Sequence, residues 1–332
     1  MRAQDKMKSN TQKKMLVIRV LTAIAIVMMV VAYFSPIWWV SLTAPNYPKD
    51  AFPDGIRIHF HFNGVFNGCK TAIVKTGRQA ELMQSDLGDD LAARENPSLN
   101  IKNQELGLNC VDEMNTINHY VGMYPIDTGS PVELRLSKFI FAFLGVMMLS
   151  TMMTKRKQQL LILGVGFAAV AVWMVVDQIA MGQLDAFAAH YHQEAAKFFN
   201  QPEVLDVWVA NLKFATKIAI AGLIVAMGIV MLGAWKVRNF SLIMILIPAL
   251  LPVFFVLDYA GWLWFFGHHL NSWGAFTVKA FMPTVFGEGK VAQFSTYSYP
   301  YYGYAILLGV SVAAMLALLI RRKLMREDSD VS

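Results

Sequence analysis

The sequence predicts a mainly α-helical, polytopic membrane protein: six transmembrane helices, with a small α+β extracytoplasmic domain between the first and second. Three observations carry that expectation. Of the 332 residues 56% are hydrophobic and only 16% charged, against about 25% charged in a typical soluble domain, and mean hydropathy is +0.43. The apolar residues fall into six blocks long enough to cross a hydrocarbon core roughly 30 Å thick. The basic residues gather at the ends of those blocks. A soluble enzyme, a disordered tail and a nucleic-acid-binding domain are thereby excluded as readings, and the net charge of +6 reports orientation in the bilayer rather than a nucleic-acid footprint.

A cytoplasmic basic tail, 1–14, precedes the first span, 15–40. Arg19, inside that span's first turn, can snorkel back to the headgroups. The block is long, ends in Trp38 and Trp39, and has Pro45 directly after its one small-residue cleavage point, Ala44, so it reads as an uncleaved anchor. The later spans are 137–153, 160–181, 218–235, 240–257 and 304–320, followed by a cytoplasmic tail, 321–332. About half of the 29 Lys and Arg residues lie in the tails and in the turns around Lys155-Arg156-Lys157 and Lys236 to Arg238. The positive-inside rule then places both termini in the cytoplasm of a bacterial inner membrane. Facing the other side are 41–136, an amphipathic segment 182–217 and an aromatic segment 258–303. Pro248 and Pro252 should kink the fifth span. Trp38, Trp39, Trp208, Trp262, Trp264 and the tyrosines from Tyr297 to Tyr304 read as an outer interfacial belt.

Between 55 and 62 the chain alternates, with Ile56, Ile58, Phe60 and Phe62 on one face and Arg57, His59 and His61 on the other, the pattern of a half-buried strand. Asn63-Gly64 signals a hairpin, with a return strand at 65–66 and 71–75. The polar stretch 79–109 reads as helix and loop. A helix from Cys110 would stack Asn115, His119 and Met123 on one face. Leu184, Phe187, Tyr191, Ala195 and Phe198 form a stripe on a helix that either continues the third span or lies along the membrane surface.

Several constellations can carry chemistry. Cys69 and Cys110 share an oxidising compartment, so a disulfide is one reading and thiolate metal ligands the other. His59 and His61 project from one strand face as a ligand pair. His119 and Met123, at i and i+4, offer imidazole and thioether to one point, a combination that suits copper better than zinc or magnesium. Asp185 and His192 continue a polar seam from Gln178 at seven-residue spacing, and Asp177 and Asp258 can face the same vestibule. Against each stands a structural reading: packed helix, hydrated interface, or methionine as core filler. No histidine lies mid-span to hold a haem, and no Walker, zincin or serine-hydrolase motif occurs at a usable place. No catalytic residue is assigned, and the chain reads as a non-enzyme.

Trp39-Val40-Ser41-Leu42-Thr43-Ala44-Pro45-Asn46-Tyr47-Pro48 and Ile117-Asn118-His119-Tyr120-Val121-Gly122-Met123 resemble a family of bacterial six-helix inner-membrane proteins that accompany copper-enzyme maturation genes of the nitrous oxide reductase type. The resemblance covers these two stretches and the helix layout, while 69–109 departs from it. It implies an accessory protein that handles copper or docks an extracytoplasmic copper enzyme, with a membrane or periplasmic protein as partner besides the lipid bilayer. A structural subunit of a membrane metalloenzyme complex, or a permease component, is the alternative.

Overall fold

The computed structural model describes residues 2–45, 47, 49, 52–69, 109–197, 202–237, 239–275, 278–291 and 293–329. Helix α1, Arg2–Phe34, is continuous through most of the first apolar block and then stops short of its end. Ser35 turns its hydroxyl back to the Val31 carbonyl at 2.8 Å, and Pro36 has no N–H to continue the ladder. The chain leaves in an extended conformation as β1, Trp38–Thr43, so the block 15–40 is not one span. Strand β2, Ile56–His61, turns through Asn63 into β3, Gly64–Asn67; the expected return strand at 71–75 lies outside the described residues. Helix α2, Cys110–Tyr120, is capped by the Asn109 side chain, which accepts from the Val111 amide.

The helical bundle follows. Helix α3, Pro131–Thr151, sits among its neighbours with Phe139 and Met147 fully buried. Helix α4, Arg156–Val175, ends in a π-helical turn, Val176–Ala180, and Gly182 at φ +67° then separates α5, Gln183–Ala196. Straight continuation of the third span is therefore corrected: the left-handed glycine re-aims the chain. Helix α6, Pro202–Lys236, is followed by α7, Phe240–Ala249, and α8, Leu251–His268. The last two are bent by 55° where Pro248 and Pro252 remove backbone donors. Strands β4, Gly287–Val291, and β5, Phe294–Pro300, lead into α9, Tyr302–Ser329.

The five strands form one antiparallel sheet in the order β3-β2-β1-β5-β4. Its central pairing is non-local, Trp38 opposite Pro300 and Val40 opposite Ser298. The tyrosines at 297 and 299 are thus strand residues, and Trp39 packs on Tyr299 at 5.3 Å. On the inner face Trp38, Val40, Ile56, Ile58 and Phe60 are buried against Tyr259 and Leu263 of α8. The Trp38 indole keeps its donor satisfied, giving Nε1–H to Ser298 Oγ at 2.8 Å, and that hydroxyl in turn donates to the Val285 carbonyl.

The protein is mainly helical, with four helices long and apolar enough to cross a membrane and a fifth if the bent α7–α8 pair counts as one span. Val27, Val165, Val225 and Val312, on four of these helices, are more than half exposed, which suits hydrocarbon and not water. At the end remote from the sheet the basic residues cap helix C-termini. Arg19 donates to the Met152 carbonyl at 3.0 Å, and Lys14 pairs with Glu327 at 2.6 Å, joining the first and last helices. Free C-terminal carbonyls and the helix dipole both favour cations there.

Candidate functional site

The junction between sheet and bundle encloses a chamber of about 200 Å³. Ser130 and Pro131 start α3, and its first turn aims Glu133 across at α8. There Asp258 and Trp262, one turn apart, face back. Trp262 donates from Nε1 to Glu133 Oε2 at 3.0 Å, and Glu133 and Asp258 both line the chamber. Two carboxyl groups brought together away from water repel when both are ionised, which favours one proton held between them. Phe60, Phe62 and Val65 from the β2–β3 hairpin, Phe141 from α3 and Phe255 and Tyr259 from α8 supply the walls. A carboxyl pair inside an aromatic enclosure is expensive to maintain without a partner.

Of the acidic residues named from sequence, Asp258 lines this chamber and Asp177 and Asp185 do not. Asp177 pairs with Lys138 at 2.8 Å and accepts from Gln178 at 2.6 Å, on a different face of α3 from Glu133. Asp185 pairs with Lys213 at 2.5 Å and His192 with Asp206 at 2.8 Å. These two contacts pin α5 to α6, and the seam expected through Gln178, Asp185 and His192 is broken at Gly182.

The histidines are likewise dispersed. Arg57 donates from Nε to His59 Nε2 at 3.2 Å, and the imidazole stacks on Tyr301 at 5.0 Å. Burial, with the adjacent guanidinium, pushes the His59 pKa down to about 4. A ring nitrogen already facing a cation is poorly placed to receive a metal ion. His61 lies 3.2 Å from the Phe34 carbonyl through Nδ1, and burial lowers its pKa as well. His119 and Met123 do not stack on one helical face. Helix α2 ends at Tyr120, Gly122 turns the chain at φ +82°, and the Met123 amide donates to Asn118 O at 2.8 Å. Met123 is instead buried among Val121, Tyr124 and Phe266. Cys69 and Cys110 form a disulfide, so neither offers a thiolate. Among the described residues no three His, Cys, Asp or Glu side chains lie close enough to hold a metal ion.

Sequence reasoning missed Glu133, an isolated acid ahead of an apolar block whose partner stands far along the chain. The available signal was Asp258 with Trp262 at i+4, a carboxyl and an indole donor on one helix face. It missed a second cavity as well, of about 90 Å³, where the stretches 39–48 and 117–123 approach each other. Val40 and Leu42 line one side of it and Met114, Asn118 and Met123 the other. No protein-family model, curated protein or solved structure matches this chain.

Proposed function

We propose that this chain is a six-span protein of the bacterial inner membrane, both termini cytoplasmic, that binds a lipophilic ammonium cation at the outer end of its bundle without converting it. The observation that supports this reading is the Glu133–Asp258 pair inside the aromatic chamber. Aromatic faces attract an ammonium ion through the ring quadrupole, and two carboxyl groups supply its counter-charge. Entry of the cation displaces the shared proton, so binding releases one proton and tightens as pH rises. His61 and Tyr259 line the same chamber. Phenethylammonium titrated into the detergent-solubilised protein tests it. Affinity should be higher at pH 8 than at pH 6, and Glu133→Gln or Asp258→Asn should each weaken it by about tenfold, in line with loss of a charged hydrogen bond. Equal binding of the uncharged phenethyl alcohol would remove the reading.

Copper handling beside an extracytoplasmic copper enzyme is the second reading, supported by one placement. The two stretches that carry the family resemblance meet at the cavity lined by Met114, Asn118 and Met123. Two thioethers in a dry pocket suit a soft monovalent ion, whereas His59, His61, Asp185 and His192 are engaged elsewhere. Cu(I) competition against a chromogenic chelator should show one equivalent bound and lost in Met114→Leu/Met123→Leu; unchanged stoichiometry in that variant would end the copper reading.

A further inference from the structure

At the basic end, the ends of α1, α4, α6, α7 and α9 converge around a cleft of about 500 Å³. Two guanidinium groups border it. Arg156 donates from Nε to Ala234 O at 3.2 Å and from Nη2 to Trp235 O. Arg321 donates from Nε to Ser241 Oγ at 3.0 Å and from Nη1 to Thr151 O. Capping the C-termini of α6 and α3 accounts for a cation at each place, but not for the open space between them. Each guanidinium carries five N–H donors, and among the described residues neither is in a salt bridge. Glu327, near this end, is taken by Lys14. Thr154 and Gln159 add polar lining, while Phe240, Met244 and Leu324 make an apolar wall on the same cleft.

Planar guanidinium forks match the oxygens of a phosphate, and an apolar wall beside them matches acyl chain. Basic pockets between the ends of membrane-crossing helices are a recurrent form of anionic-lipid site. We propose that this cleft binds the phosphate headgroup of an anionic membrane phospholipid, held by Arg156 and Arg321, with its acyl chains running along Phe240 and Leu324. A free phosphate would satisfy the forks but leave that apolar wall without an occupant.

Native mass spectrometry of the full chain tests this, using phosphatidylglycerol, phosphatidylethanolamine and inorganic phosphate as separate probes. The wild type should retain one phosphatidylglycerol against detergent exchange and little phosphatidylethanolamine. Arg156→Gln/Arg321→Gln should retain it about tenfold less, whereas Lys155→Gln/Lys157→Gln, which removes the same charge nearby, should retain it as well as the wild type. Should the double arginine variant fail to fold, Ser241→Asp keeps both guanidiniums and supplies Arg321 with an internal carboxylate; it should displace the lipid to a similar degree. Equal retention of the two lipids, equal loss in the lysine variant, unaltered retention in both cleft variants, or full displacement by inorganic phosphate would each overturn the proposal.

Discussion

Removing the Cys69–Cys110 bridge is expected to lower the stability of the sheet cap by roughly 3 to 4 kcal/mol, the chain-entropy value for a loop of this length. The bridge spans a sequence separation of 41 residues and ties the end of β3 to the first turn of α2. Its surroundings make it structural. Cys110 is fully buried, and the Asn67 side-chain oxygen accepts from the amides of both Cys69 and Cys110, at 3.1 and 3.2 Å. Helix α2 reaches the sheet core through Met114 and Ile117, with Val111 partly buried beside them, so the bridge adds a covalent tie to a thin interface. In thermal unfolding of the detergent-solubilised protein, Cys69→Ala/Cys110→Ala should lose on the order of 10 °C. Reductant should produce the same fall in the wild type and none in the variant. A wild-type midpoint indifferent to reductant would show that the cap stands without the bridge.

The helices long and apolar enough to cross a membrane were legible because a hydrocarbon solvent selects long apolar blocks, a demand written residue by residue. The limits of those blocks were not. Trp38, Val40 and Leu42 are as apolar in a strand as in a helix, so hydropathy cannot see where α1 gives way to β1; Pro36 alone marks the place. Strand β5 carries a period of two, with Phe294, Thr296 and Ser298 on one face and Ser295, Tyr297 and Tyr299 on the other. Without sight of its partner, that run reads equally well as an interfacial belt. Its partner is β1, at the other end of the sequence, and non-local pairing leaves no local trace. The candidate site was half legible for the same reason. Asp258 stands out as an acid at the end of a span, but its significance comes from Glu133, which only the packing of α3 against α8 brings to it. Where local chemistry decides, as with Pro248 and Pro252 or Asn63-Gly64, the reading and the structure agree.

Gly122→Ala should destabilise the protein by about 2 to 4 kcal/mol, the sum of a left-handed backbone penalty and a backbone collision. At φ +82° an L side chain is strained, and a Cβ would lie 2.5 Å from the Asn271 carbonyl oxygen. That oxygen cannot retreat easily. The Asn271 amide donates to Gly122 O at 2.8 Å, its side chain donates to the same oxygen at 3.2 Å, and the Ala275 amide donates to Tyr120 O at 2.9 Å. Gly274 meets Gly122 from the other side, where its own Cβ would fall 2.9 Å from the Gly122 amide. Two glycines therefore let the segment after α8 lie directly on the end of α2. Gly122→Asn separates the two causes, because asparagine tolerates the left-handed region but still carries a Cβ. If contact dominates, as this packing requires, the asparagine variant should melt as early as the alanine variant; recovery of more than half the loss would assign the cost to backbone strain instead. The turn that makes Gly122 necessary also parts His119 from Met123, so a single backbone conformation both holds the cap to α8 and removes the imidazole–thioether pair that the sequence spacing had offered.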